Sequence, residues 1–245
     1  LTKRQACGLQ KPADIHLIIC INMKLHRYYQ IVAADLASPK EELLNVVTHA
    51  MGLLLAIGGT SYLLVKIFVQ TLHWSLVTGG LAFGVSLILV YLTSTLYHAA
   101  NRPRLRRVFN TLDHIAIYFL IAGTYTPFIL LFVPTFSGYG VLIGLWSVSL
   151  IGLVYKIFAT GKHKFISTML YLAMGWAAVL IIKPMIAMVP GDILAWILAG
   201  GVCYTLGVVF YLAKKLPYHH AIWHLLVLAG SVCHYFGVLA AVSHS

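Results

Sequence analysis

The chain has 245 residues, 60% of them hydrophobic and 9% charged, and its mean hydropathy is +0.89. Soluble domains carry about 25% charged residues, so this composition excludes a soluble enzyme. The formal net charge of +11 admits a nucleic-acid partner only until the positions of the charges are read.

In chain order, residues 1–44 read as a cytoplasmic N-terminal segment. Its one apolar run, Ile15 to Ile21, is interrupted by His16 and Cys20, is too short to span a bilayer, and lacks a small-residue cleavage site. Met23 precedes a plausible cytoplasmic stretch from Lys24 onward and is the expected start of translation, which leaves residues 1–22 untranslated. A spanning helix needs about 20 predominantly apolar residues. Runs of that kind lie at 46–69, 76–97, 113–133, 138–159, 166–188, 192–213 and 221–243, within a membrane domain expected over 45–243. The breaks carry turn residues: Asn101 to Arg104, a short hairpin at Phe136-Ser-Gly138, Pro190-Gly191, and Pro217. Thr124 and Thr126 beside Pro127 predict a kink in the third helix. Glycine pairs at 58–59, 79–80 and 200–201 suit close helix packing. Cysteines 7, 20, 203 and 233 have neither a disulfide nor a metal-binding spacing.

The fold class is therefore all-α: a seven-helix integral membrane bundle. Fifteen of the 17 Lys and Arg residues fall in the N-terminal segment and in alternate connections, at 102–107, 156–164 and 214–215, while only Lys66 and Lys183 fall on the other side. The positive-inside rule then puts the N-terminus in the cytoplasm and the C-terminus outside. The basic excess is first a topology signal and second a contact for anionic lipid. Nucleic acid is not needed to explain it.

Beyond Glu42 the only acids are Asp113 and Asp192, whereas histidines number 12. Ionisable groups within a membrane are costly and mark function by default. With the alternating topology, His98 closes the second helix at the same depth at which Asp113 and His114 open the third and His220 and His224 open the seventh. Glu42, Asn45 and His49 open the first as one i, i+3, i+7 stripe, which reads either as an N-terminal capping cluster or as support for a site. His220 and His224 are an i, i+4 pair, about 6 Å apart at Cβ, a spacing that suits chelation of one ion. His98 adds a third nitrogen, the number a catalytic zinc uses while keeping a position for water, and Asp113 can hold or deprotonate that water. The alternative is an interhelical hydrogen-bond network. Ser94, one turn before His98, reads as packing glue or as a hydrogen-bonding contact for substrate or water. His234 lies about 15 Å beyond His224 and cannot share the site, and His219 points about 100° away from His220. His73, His163 and His244 fall in loops or at the terminus.

Glu42-x-x-Asn45-x-x-x-His49, Ser94-Thr-Leu-Tyr-His98, Asp113-His114 and His220-x-x-x-His224 together resemble the hemolysin III branch of the progestin and adipoQ receptor family. Ala122 to Pro127, Tyr171 to Trp176 and Ser231 to Tyr235 resemble that branch in particular, and the resemblance runs from about residue 41 to 242. It implies a multi-pass protein of the cell (inner) membrane with a zinc ion near the cytoplasmic face. By motif the zinc is held by His98, His220 and His224, with Asp113 contacting it through water. It also implies kinship with membrane-embedded zinc hydrolases, some of which act on amide-linked lipids, hence a lipid amide or ester hydrolase, and a part in membrane homeostasis. The expected partners are membrane lipids, including a lipid substrate. The expected catalytic residues are Asp113 as general base and Ser94 as a polar contact. Two other classes stand beside this one: a cytolysin or pore-former, which lacks support in any ring of charged residues, and a sensor whose zinc is structural. A retinal protein is disfavoured, because the seventh span has no lysine. Bis-histidine haem rests on the histidine count alone.

Overall fold

The computed structural model describes residues 38–70, 73–159 and 164–244. Cys7, Cys20, the Ile15 to Ile21 run and Met23 lie outside the described residues, as do Lys162 and His163. Among the described residues eight α-helices follow one another: α1 (Pro39–Gln70), α2 (Trp74–Ala99), α3 (Pro103–Phe132), α4 (Phe136–Ala159), α5 (Lys164–Gly175), α6 (Ile182–Met188), α7 (Gly191–Leu212) and α8 (His219–Ser243). A 3-10 turn, Ala177–Ile181, joins α5 to α6, so that Phe165–Met188 crosses as one broken span. Seven stretches of the described residues are thus long and apolar enough to cross a membrane, and the fold is an all-α bundle. Residues Glu41–Ser245 form one compact unit, which carries this bundle.

Several helix starts have a legible reason. Pro39 occupies the first position of α1, where its missing N–H costs nothing, and Glu41 and Glu42 in the first turn favour the helix dipole. One face of α1 is buried, through Asn45, Thr48, His49, Gly52, Ala56, Thr60, Leu63 and Ile67, while Leu43, Val47, Leu54 and Val65 are exposed as lipid-facing residues would be. α3 begins at Pro103, ten residues before the apolar run at Asp113. The basic stretch Arg104 to Arg107 is helical rather than part of a loop, because Pro at the first position and the absence of a breaker let the helix continue beyond the apolar stretch. Phe136 to Gly138 is likewise the first turn of α4 and not a hairpin. The turn lies at 133–135, and the Thr135 hydroxyl caps the helix by accepting from the Gly138 N–H at 3.1 Å.

α2 and α3 form the centre: 61% of the apolar stretch of each is buried, against 17–39% in the other spans. They approach closely where Gly79 meets the Pro127 backbone. A Cβ on Gly79 would stand 2.6 Å from Pro127 Cα. Pro127 leaves the Gly123 carbonyl without its usual donor, and the hydroxyls of Thr124 and Thr126 turn back onto the carbonyls of Leu120 and Ala122 at 2.7 and 2.8 Å. Of the three glycine pairs, 79–80 packs through both members, whereas only Gly59 and Gly200 of the others meet a neighbour, Tyr235 and His234 respectively.

The break in the fifth span is bridged from α3. The Tyr125 hydroxyl accepts from the Ala178 N–H at 2.8 Å and donates to the Gly175 carbonyl at 2.7 Å, so one side chain satisfies backbone groups freed on both sides of the gap. Lys156, grouped by sequence with the basic residues of a connection, is instead fully buried on α4 and donates to Ser167 Oγ at 2.9 Å. Its long stem lets the ammonium reach a hydroxyl on α5.

Side-chain contacts identify the two ends of the bundle. Glu42, His98, Arg106 and His220 meet at the end where α1 begins. Lys66 meets Ser243 at 2.6 Å, and Asp192 meets His244 at 3.2 Å, at the opposite end.

Candidate metal centre

The last turn of α2 and the first two turns of α8 supply three imidazoles to one spot. Tyr218, in the left-handed region at φ 58°, immediately precedes α8, so the helix opens at His219 with His220 in its first turn and His224 one turn on. His98 comes from the end of α2. One nitrogen from each of His98, His220 and His224 lies within 4.8 Å of the other two, and this is the group of its kind among the described residues. His98 Nε2 and His220 Nε2 are 3.3 Å apart. The ring centroids stand 5.1 Å (98 to 220), 5.0 Å (98 to 224) and 4.6 Å (220 to 224) apart. His98 and His224 are buried and His220 is partly so.

The donor set fits a metal ion. Zinc–nitrogen bonds of about 2.0–2.1 Å in a tetrahedron put ligand nitrogens about 3.3 Å apart, the separation of the closest pair here. Both nitrogens of His224 are buried and lack a hydrogen-bond partner in the protein. A buried imidazole without partners is costly, and a shared ion would satisfy one of those nitrogens.

Around the three rings stand residues from α1 and α3. Glu42 Oε2 lies 2.7 Å from His98 Nδ1, and Glu42 Oε1 is bound by the Arg106 guanidinium. Arg106 Cζ also sits 4.9 Å from the centre of the Tyr97 ring. His49 stacks on His224, centroids 3.6 Å apart and planes 26° from parallel, and presents an edge to Tyr91. Neither the His49 ring nitrogens nor the Asn45 amide has a partner in the protein.

Asp113 is buried on α3, with its carboxylate beside the Ser94 hydroxyl. That hydroxyl makes no hydrogen bond of ordinary geometry. Asp113 is not a member of the three-histidine group. His114 is not a member of that group either, and its Nδ1–H donates to the Asn110 carbonyl at 2.8 Å. His234 is buried against Gly200 and the Tyr204 ring, nearly three helical turns beyond His224. The structure thus brings His98, His220 and His224 together and leaves Asp113 and Ser94 adjacent to each other.

A profile of proteins described as haemolysin-III related matches residues 37–235. The chain belongs to that family. It is 41% identical over 200 residues to the "Hemolysin-3 homolog" of Bacillus subtilis (strain 168), covering 82% of this chain and 93% of that protein. It is 41% identical over 202 residues to "Hemolysin-3" of Bacillus cereus, covering 82% and 91%. The human "Monocyte to macrophage differentiation factor" is 31% identical over 206 residues, covering 81% and 83%. No solved structure matches. The matches assign the chain to the hemolysin III branch of the progestin and adipoQ receptor family, and with the seven apolar spans they make it a multi-pass membrane protein.

The charge pattern and the motif spacing had singled out all three imidazoles. By sequence Arg106 counts only toward topology, and Glu42 and His49 read either as a capping cluster or as support for a site. What was missing was the register of α1 against α2 and α8, which depends on packing between helices and leaves no signal in a single sequence.

Proposed function

We propose that this haemolysin III protein is a zinc-dependent, membrane-embedded lipid hydrolase that acts in membrane homeostasis. In the cell (inner) membrane its N-terminus would be cytoplasmic, with the histidine cluster near the cytoplasmic face. The observation that carries the reading is the convergence of three imidazoles from two helices remote in sequence within one buried cluster. Three nitrogen ligands suit zinc with a position left for water or substrate. A zinc ion bound there supplies Lewis acidity and brings water's pKa toward neutrality.

The chain's own residues would do the rest. His98, His220 and His224 hold the ion. Asp113, buried and acceptor-only when ionised, accepts a proton at its carboxylate. Ser94 offers a hydroxyl to a polar group of the lipid. The surrounding helices exclude bulk water, which strengthens the electrostatic interactions inside.

The test is lipid turnover by the purified chain in vesicles of defined composition that include amide- and ester-linked lipids, read by mass spectrometry. Zinc-dependent product formation, lost in Asp113→Asn while zinc is retained, is the expected result. Absence of turnover across the lipid set by zinc-loaded protein defeats the hydrolase reading and favours a sensor with structural zinc. Cytolysis is a second reading, favoured by the name of the Bacillus cereus relative. It would appear as dose-dependent red-cell lysis that osmolytes of pore-exceeding size suppress.

A further inference from the structure

We propose that Glu42 is a positioning residue for the histidine cluster. Its carboxylate takes the Nδ1 hydrogen of His98 and so presents the Nε2 lone pair of that ring to a bound metal. The inference rests on the metal-centre reading and deepens it by giving α1 a role, although α1 contributes no member of the three-histidine group.

The first observation is which nitrogen Glu42 meets. A carboxylate only accepts hydrogen bonds, so a 2.7 Å contact from Oε2 places the hydrogen on His98 Nδ1. In a neutral imidazole the other nitrogen is then unprotonated. That other nitrogen, Nε2, is the atom that faces His220 Nε2 at 3.3 Å. Glu42 therefore grips the far side of the ring and turns the basic side inward. Free histidine exchanges its hydrogen between the two nitrogens, and half of that freedom would present the cluster with an N–H instead of a lone pair.

The second observation is that the carboxylate is itself fixed. Arg106, from the first turn of α3, binds the other oxygen of Glu42, and its guanidinium lies over Tyr97, the neighbour of His98. The three charged or polar groups come from α1, α2 and α3, so the orientation of His98 depends on the packing of three helices. Two turns along α1, His49 stacks on His224 at 3.6 Å. One face of α1 thus touches two of the three rings from outside the cluster. A carboxylate that orients a ligating imidazole alters metal affinity by about 10–100-fold.

The full chain, purified in detergent, is titrated with zinc against a chromophoric chelator and with Co(II) while visible absorption is recorded. Glu42→Gln nearly keeps the side chain's shape but loses its charge, and its NH2 group can turn toward Nδ1 and favour the wrong tautomer. The expected result is zinc affinity about 10–100-fold weaker and altered Co(II) ligand-field bands, with melting of the metal-free protein little changed. Glu42→Asp should recover part of the affinity. Arg106→Gln, which leaves the carboxylate in place, should lose less than Glu42→Gln. Asp192→Asn at the other end of the bundle should match wild type.

Wild-type zinc affinity and an unchanged Co(II) spectrum in Glu42→Gln would overturn the proposal, even if the variant melted earlier, because that pattern describes a helix-to-helix ion pair and nothing more. Should Glu42→Gln not accumulate, Arg106→Gln decides by the same two readouts, and wild-type values there overturn the proposal as well. His98→Ala separates the two levels. If it binds metal as wild type does, the metal-centre reading fails. If it loses metal while Glu42→Gln does not, only the positioning role fails.

Discussion

Replacing His224 with Phe should change stability in opposite directions with and without metal. His224 is fully buried, its ring stacks on His49 at 3.6 Å, and neither of its nitrogens meets a hydrogen-bond partner in the protein. Without metal the wild type buries polar atoms that cost about 1–3 kcal/mol each when unsatisfied. Phe keeps a ring of similar size on the His49 face and removes those atoms. In excess chelator, then, His224→Phe should melt at or above the wild-type temperature. With zinc at about 100 times its dissociation constant, the wild type gains about 2.7 kcal/mol that the variant forgoes. For a chain of this size that difference is on the order of 5–10 °C. Thermal melting in detergent, with chelator and then with zinc, reads both arms. A variant that melts below wild type by the same margin in both conditions would refute this role, because the imidazole would then be serving a hydrogen-bond network instead of an ion.

Other expectations follow from packing and topology. Gly79→Ala would drive a Cβ to 2.6 Å from Pro127 Cα, a backbone atom that cannot swing aside. It should cost about 1–3 kcal/mol, less up to about 1 kcal/mol from alanine's better helix propensity. Gly144→Ala, with open space around it, should be neutral or slightly stabilising, and equal melting of the two variants would contradict the α2–α3 contact. Tyr125→Phe strips the Ala178 N–H and the Gly175 carbonyl of their bridging hydroxyl. It should lower stability by about 1–3 kcal/mol and raise proteolysis near the 3-10 turn; unchanged cleavage there would count against the bridge. In a chain whose native cysteines are replaced, cysteine at Arg104 should be protected from impermeant thiol reagents in intact cells, and cysteine at Gly191 labelled. The reverse pattern would invert the proposed orientation.

Much of this fold was legible because a membrane limits what a sequence can do. Seven apolar runs with turn residues between them left little freedom, and alternation from one end of the bundle to the other already brought His98, His220 and His224 to one depth. The shortfalls have physical causes. α3 starts ten residues before its apolar run because Arg104 to Arg107 and the residues after them can remain helical outside the hydrocarbon. Hydropathy reports where a helix meets lipid and says nothing of where its hydrogen bonds end. The 3-10 break after Gly175 went unseen because the fifth run stays apolar throughout, and because the hydroxyl that satisfies its backbone comes from Tyr125, 50 residues earlier. Lys156 read as a connection charge, since a sequence does not reveal that Ser167 stands within reach. The Glu42 stripe was visible at i, i+3, i+7, but its meaning lies in the partners His98, Arg106 and His224 on three other helices.

The central claim is that these three histidines hold a metal ion, and metal content tests it most directly. The chain is purified in detergent without chelator, alongside His98→Ala, His220→Ala and His224→Ala, and metals are measured by inductively coupled plasma mass spectrometry. One zinc ion per wild-type chain is expected, with its loss from each variant that remains folded. Wild-type protein that stays metal-free when zinc is supplied, or variants that keep as much zinc as wild type, would contradict it.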